Sequence, residues 1–341
     1  MSFNVMSGSS DEDQKNKDEG EIRFIFRGNA AAAAGDLFPV QSTACLPMIG
    51  GLSRSVVSNF PYETPDVPNE LGRFVSFQSA ATRAEGRIHT IAKENGRGEI
   101  ITKQVTETTV NASVTGLRLA GVFEVQALIS NMESSRVIGH NPAEPWEFFH
   151  LPKDNHIIGA KLFGRELRFR FHEKLMSYGA IDRFARGEAG GGFEANPDFK
   201  DVIGCNRYYI YYSIVDEILY RADPLPGSTF ERSPTKRYIV PFAGNEYVVE
   251  ITRNHIFVEG IGHFYFGEVV RDGRSSRMTL MRTKLNYDPE IARLNLRTQA
   301  YGLFNKSYQI PRSGDIDPPV DDNSGTMGFS EVGTNGGEVG P

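Results

Sequence analysis

Apolar and polar residues alternate along much of the chain with a period of two, which is the pattern of a half-buried β-strand. In the clearest run, Val110, Ala112 and Val114 alternate with polar residues. A second run alternates Leu167 and Phe169 with basic residues. Because successive side chains in a strand point to opposite faces, both runs predict strands with one buried and one solvated face.

Turn-forming pairs separate several strand-like runs, so hairpins are expected there. These pairs are Asn95-Gly96, Arg253-Asn254 and Asp272-Gly273. Helical patterns are short and confined to residues 177–188 and 287–297. The stretch 39–69 is rich in proline and glycine, and we expect it to be a long irregular connection. The sequence therefore predicts a mainly β fold, an antiparallel sandwich or jelly-roll-like body with a few short helices.

Composition supports this fold class, because the chain has 23 phenylalanines, 13 tyrosines and 35 glycines in 341 residues. Five alanines lie between Gly28 and Gly35, a stretch too short for a stable isolated helix. The lysine and hydroxyl residue of a phosphate-binding loop do not follow it, since Asp36 and Leu37 stand there. We therefore expect a packing segment of small residues.

Charge is concentrated at the two ends of the chain. The formal net charge is −6, and residues 313–341 alone carry six acidic side chains and no lysine or arginine. Residues 1–20 are polar and acidic as well. Such segments cannot bury enough apolar surface to fold, so both ends are predicted to be disordered around a β-rich body at 21–312. An alternative interpretation divides that body into two β subdomains that meet near 140–156.

The stretch HNPAEPWEFFHLPKDNH, residues 140–156, is the main candidate for a functional site. It contains the single tryptophan of the chain beside two phenylalanines, and three prolines that suppress helix. Trp146, Phe148 and Phe149 are expected to anchor this loop to the core, or to form part of a surface that binds a ligand or partner.

The same stretch could instead bind a metal. The alternative ligands are His140, Glu147, His150 and His156. No compact spacing such as His-x-x-x-His is present, so we expect the histidines not to converge on one point and assign no metal site.

Arg168 and Arg170 project from the polar side of their strand and are the second candidate surface for an acidic partner. The threonine- and serine-rich alternation at 102–130 is long enough for membrane-spanning strands, but soluble sandwiches show the same pattern. The sequence contains no cluster of lysine and arginine residues that would indicate a nucleic-acid partner.

No motif of a known catalytic type is present, and no cofactor is expected. Cys45 and Cys205 fit no zinc or disulfide framework, and two buried free thiols are predicted. The sequence shows no signal peptide and no long apolar stretch, so the cytoplasm is the default compartment.

The leading hypothesis is a non-catalytic structural or interaction protein that self-associates or binds another protein. A hydrolase or metal-dependent enzyme with its site near 140–156 is the first alternative, and a membrane-active β-protein is the second.

Overall fold

The structure is a computed structural model that describes residues 22–35, 42–60, 75–94, 98, 100–137, 148–150, 154–172, 203–205, 210–221, 235–271, 275–285 and 324–338. All regular elements within these ranges are β-strands, which confirms the mainly β fold. Both predicted helices, at 177–188 and 287–297, lie outside the described residues.

The described ranges contain nineteen strands. In chain order they are β1 (Ile22–Gly35), β2 (Ser42–Cys45), β3 (Gly51–Phe60), β4 (Val75–Glu94), β5 (Ile100–Leu119), β6 (Phe123–Val137), β7 (Phe148–His150), β8 (His156–Ile158), β9 (Lys161–Leu162), β10 (Arg165–Phe171), β11 (Ile203–Cys205), β12 (Ile210–Ser213), β13 (Val215–Tyr220), β14 (Lys236–Phe242), β15 (Asn245–Ile251), β16 (His255–Val258), β17 (Gly262–Arg271), β18 (Ser275–Leu285) and β19 (Ser324–Glu338).

The strands form two antiparallel sheets. The ten-stranded sheet has the order β14-β15-β16-β17-β18-β19-β1-β2, with β12 beside β17 and β11 beside β12. The nine-stranded sheet has the order β13-β10-β9-β6-β5-β4-β3, with β7 and β8 also beside β6. Most neighbours are consecutive in the chain, because short connections favour antiparallel pairing. The main exception is β19, which lies between β18 and β1.

One half of the interface between the sheets is rich in small side chains. Ser130 on β6 and Ser330 on β19 are both buried, and their hydroxyls form a 2.9 Å hydrogen bond between the sheets. Gly86 on β4 packs so closely that an added Cβ would lie 2.6 Å from the ring of Phe26. The five alanines, which were predicted to form a packing segment, are all buried. They form part of strand β1 and not a helix.

Aromatic rings fill the other half of this interface. Phe123 on β6 stacks on Phe264 of β17 with 5.3 Å between ring centroids. Phe169 on β10 contacts Phe266 at 4.8 Å, and the predicted burial of Leu167 on the same strand is confirmed. Rings bury more apolar area per residue than alanines, so this half contributes most of the hydrophobic stabilisation.

The predicted hairpins pair as expected. Arg253-Asn254 connects β15 to β16, which confirms that hairpin. The strands that flank the other two pairs are antiparallel neighbours, with Glu94 opposite Ile100 and Arg271 opposite Ser276. The turn residues Asn95-Gly96 and Asp272-Gly273 themselves lie outside the described residues.

The structure differs from the sequence-based expectation in two regions. Within the stretch 39–69, predicted to be irregular, it places β2 and β3. The described turn formers Pro47, Gly50 and Gly51 lie at the corner between these strands, where φ is +87° at Gly50 and +105° at Gly51, and residues 61–69 lie outside the described residues. Within 313–341, predicted to be disordered, Ser324–Glu338 forms β19, whose backbone pairs on both sides. The segment 1–20 and the remainder of the tail lie outside the described residues. The proposed subdomain boundary near 140–156 is described only at 148–150 and 154–156 and stays a prediction.

Candidate interaction surfaces

Only part of the tryptophan loop is described. Trp146 lies outside the described residues, while Phe148 and Phe149 belong to β7, which pairs with Ser134 and Ser135 of β6. The loop is therefore attached to the nine-stranded sheet by backbone pairing. The anchoring role of the three aromatic side chains stays a prediction.

The two described histidines of this loop lie at different points along β6. His150 is opposite Glu133 and His156 is opposite Ile129, so their backbones are about 13 Å apart along that strand. His156 is exposed. His140 and Glu147 lie outside the described residues, so the alternative metal site stays untested. Among the described residues, no group of three or more histidine, cysteine or acidic side chains is arranged to hold a metal ion.

The two arginines of the predicted basic surface are exposed on β10, but both have carboxylate partners in this chain. Arg168 Nε lies 2.7 Å from Glu166 Oε1, and this hydrogen bond is the main reason that the pKa of Glu166 is lowered. Arg170 Nη2 lies 2.9 Å from Asp216 Oδ2 and 3.3 Å from Glu217 Oε2. Much of their positive charge is therefore balanced by the chain itself.

Asp216 is the centre of an ion-pair network that connects the two sheets. It lies on β13 of the nine-stranded sheet and accepts a hydrogen bond from Arg253, in the β15–β16 turn of the other sheet. Burial would raise the pKa of Asp216, but the hydrogen bonds and charges of Arg253 and Arg170 outweigh it and lower the pKa. Lys236 on β14 adds a second bridge, 3.2 Å from Glu217.

A ladder of aromatic and charged side chains crosses β16, β17 and β18. His255 stacks on Tyr265 with 4.5 Å between ring centroids, and its Nε2 lies 2.9 Å from His263 Nδ1. Arg282 lies 4.1 Å over the Tyr265 ring and forms two 2.7 Å hydrogen bonds with Glu268. The sequence analysis did not find this ladder, because only the strand register brings these residues opposite one another.

The ladder favours neutral histidines. Burial is the largest cause that lowers the pKa of His255, to about 4, and the nearby His263 and Arg282 add to it. Burial, Lys284 and Arg282 lower the pKa of His263 in the same direction. Arg282 and Lys284 on the adjacent strand β18 are cationic, and the carboxylate of Glu268 is already paired with Arg282, so this arrangement disfavours a bound metal cation.

Strand β3 is an exposed edge of the nine-stranded sheet. Nine of its ten residues pair with β4 on one side, and no other described strand pairs with its free side. Leu52 and Val56 are 52% and 65% exposed, and at the preceding corner Met48 and Ile49 are 69% and 92% exposed. The strand contains one charged residue, Arg54, and neither lysine nor proline.

The other sheet edges have features that discourage pairing with another chain. At the far side of the sandwich, β13 carries Asp216 and Glu217, and β14 carries Lys236, Arg237 and Pro241. Strand β2 has only four residues. Charges, prolines and short length all discourage pairing of an edge strand with another chain, so β3 is less protected than β2, β13 and β14.

Cys45 lies at the end of β2 and is free and exposed, so the prediction of a buried thiol is wrong at this position. Cys45 is exposed because it is the last residue of an edge strand. The side chain of Cys205 is outside the described part of the structure.

Between residues 106 and 114, the threonine-rich strand β5 points its even-numbered residues into the sandwich. Thr106, Thr108, Val110, Ala112 and Val114 are all buried, and the intervening side chains are partly exposed. Among the described residues, the structure contains no helix long and apolar enough to cross a membrane.

The chain was compared with models of protein families, with curated proteins and with solved structures, and none of the three comparisons gives a match.

Proposed function

We propose that this protein is a non-catalytic structural protein that acts by associating through the free edge of β3. The observation that supports the proposal is a ten-residue edge strand with Leu52 and Val56 exposed on it. Unpaired strand edges offer a row of backbone donors and acceptors, and a second strand can satisfy them. The exposed Met48 and Ile49 extend the apolar surface at one end of this edge.

The asymmetry between the two sides of the sandwich supports the same conclusion. The β13 and β14 side has charged residues and a proline, which discourage pairing, whereas β3 has a single arginine. A protein that is only required to remain monomeric gains nothing from leaving one edge unprotected.

The test is sedimentation velocity across a hundred-fold range of protein concentration. We expect the unaltered chain to self-associate and Val56→Lys to weaken the association at least tenfold, equivalent to about 1.4 kcal/mol. The lysine adds charge to the edge and must be desolvated when a second strand pairs there. Because Val56 is 65% exposed, the free energy of unfolding should change by no more than about 0.5 kcal/mol.

The matched control is Ile239→Lys on β14, because Ile239 is 41% exposed on the protected side of the sandwich. This variant should associate like the unaltered chain. A chain that stays monomeric throughout the concentration range, or an equal loss of association in both variants, contradicts the proposal.

A further inference from the structure

The residues on β3 indicate what its free edge pairs with. We infer that the partner is β3 of a second copy, antiparallel to the first, about a two-fold axis that passes through Val56. This inference rests on the proposed function and specifies the partner and the strand register.

The alternation of β3 restricts where a two-fold axis can pass. Leu52, Arg54, Val56 and Ser58 are all exposed, and they are paired with β4 residues that lie on the outer face of the nine-stranded sheet. An axis perpendicular to the sheet keeps the outer faces of both copies on one side. Directly opposed side chains in an antiparallel pair lie on the same face of the sheet, so outer residues of one copy must oppose outer residues of the other. The axis is therefore level with a residue and not between two residues.

An axis through Arg54 is unfavourable. Arg54 is already opposite Arg83 of β4, so this axis would place Arg54 of both copies side by side, with Arg83 on either flank. Four arginines would then form one row across the joined sheet. Like charges directly opposite each other destabilise strand pairing.

An axis through Ser55 joins unlike side chains. It places Arg54 opposite Val56 and Leu52 opposite Ser58 of the second copy. Each exposed apolar residue of β3 would then meet a polar or charged side chain, which leaves its apolar surface poorly covered.

An axis through Val56 matches the side chains. Val56 meets Val56 of the second copy, and Ala81 of β4 lies opposite each, so one row of the joined sheet reads Ala-Val-Val-Ala. Arg54 meets Ser58, which is uncharged. Leu52 would lie opposite residue 60, but the Phe60 ring is buried and stacks on Phe77 inside the sandwich, so the match of outer side chains extends over residues 54–58. This register joins two nine-stranded sheets into one continuous sheet.

Single-cysteine variants test this register in a chain whose Cys45 and Cys205 are replaced by serine. Val56→Cys should form a covalent dimer on mild oxidation or with a short bis-maleimide. Arg54→Cys and Ser58→Cys should form much less dimer when each is alone. Mixed together, these two variants should give a heterodimer that mass spectrometry identifies by its two distinct masses.

Ile239→Cys on β14 is the control, and it should form no more covalent dimer than the cysteine-free chain. If the serine replacements impair folding, as judged by the circular dichroism spectrum, the same variants are compared in the original chain against its own background of cross-linking. That comparison gives the same order of dimer yields under this register.

The outcomes separate this inference from the proposed function. Strong cross-linking of Arg54→Cys alone places the axis at Arg54 and overturns the inference. Self-association by sedimentation with no Val56→Cys dimer also overturns it, while the proposed role of a self-associating protein stands. A chain that does not associate in sedimentation refutes both.

Discussion

At the scale of single residues, the close approach of Gly86 to the opposite sheet gives a sharp prediction. A Cβ at this position would lie 2.6 Å from Phe26 Cδ1 and 2.8 Å from Leu46 Cδ2. We expect Gly86→Ala to lower the free energy of unfolding by about 1–3 kcal/mol, because a well-packed interior resists an added methyl group. Urea denaturation followed by circular dichroism measures this change.

The control is a double-mutant cycle with Phe26→Ala, which removes the ring that the new methyl group would strike. If the clash is the cause, Gly86→Ala should be much less destabilising in the Phe26→Ala chain. Equal costs in both chains would show that the Phe26 ring is not the cause, and that the contact with Leu46 or the backbone freedom of glycine determines the effect.

The paired histidines predict a dependence of stability on pH. The pKa of His255 is about 4 in the folded chain and 6.5 as its ordinary value, so the unfolded chain binds the proton more readily between these limits. The stabilisation is therefore complete above pH 6.5 and is lost as the pH falls towards 4. A shift of this size corresponds to at most about 3 kcal/mol.

His255→Phe should reduce this pH dependence, because phenylalanine keeps an aromatic ring next to Tyr265 and cannot take up a proton. The matched control is His156→Phe, since His156 is exposed on β8. Unfolding free energies at several pH values between 4 and 7.5 provide the measurement. An unchanged slope in His255→Phe would show that another group dominates the acid sensitivity.

Residue identity alone predicted some side-chain environments well and others poorly. Leu167 is buried and Arg168 is exposed, as alternation along a strand requires. Phe163 was not identified as a turn residue, because a bulky side chain seldom adopts its φ of +52°. Its ring is buried 4.8 Å from that of Tyr247, and this packing offsets the local strain.

At the scale of elements, strands with regular alternation were recognisable and strands of small or mixed residues were not. The run of alanines in β1 shows no alternation, because Ala31, Ala32 and Ala33 are all fully buried and both faces of the strand are covered. Glycine is frequent in β19, and glycine disfavours strands unless neighbours on both sides hold the backbone. Those neighbours come from distant parts of the chain, and no local pattern reveals them.

Strand β19 predicts the effect of a truncation. A chain that ends at residue 323 loses the strand that joins β18 to β1, so both would present unpaired backbone groups. We expect this chain to unfold at a clearly lower temperature than the full chain, or not to fold. Thermal denaturation and limited proteolysis measure the difference.

A chain that ends at residue 338 is the matched control, because it retains all of β19. It should behave like the full chain in both measurements. If the chain ending at residue 323 kept the full thermal stability, the tail would be dispensable, as the acidic and glycine-rich composition of 313–341 suggests on its own.

At the scale of the whole molecule, the fold class was accessible from sequence but the arrangement of the surfaces was not. Alternation and turn pairs predicted an antiparallel sandwich, since both depend only on residues near one another in the chain. The ion-pair network around Asp216 and the contrast between the β3 edge and the β13 and β14 edges depend on which strands lie at the sheet borders. Strand order is a property of distant pairings.

The position of β19 also determines when the ten-stranded sheet can form during protein synthesis. Ile22 at the start of β1 pairs with Glu338 at the end of β19, so all residues between them must leave the ribosome before the ten-stranded sheet can close. Synthesis at about 5–20 residues per second makes this delay tens of seconds. During that interval β1 and β18 have open sides, so we expect the growing chain to be most prone to aggregation until residues 324–338 have left the ribosome.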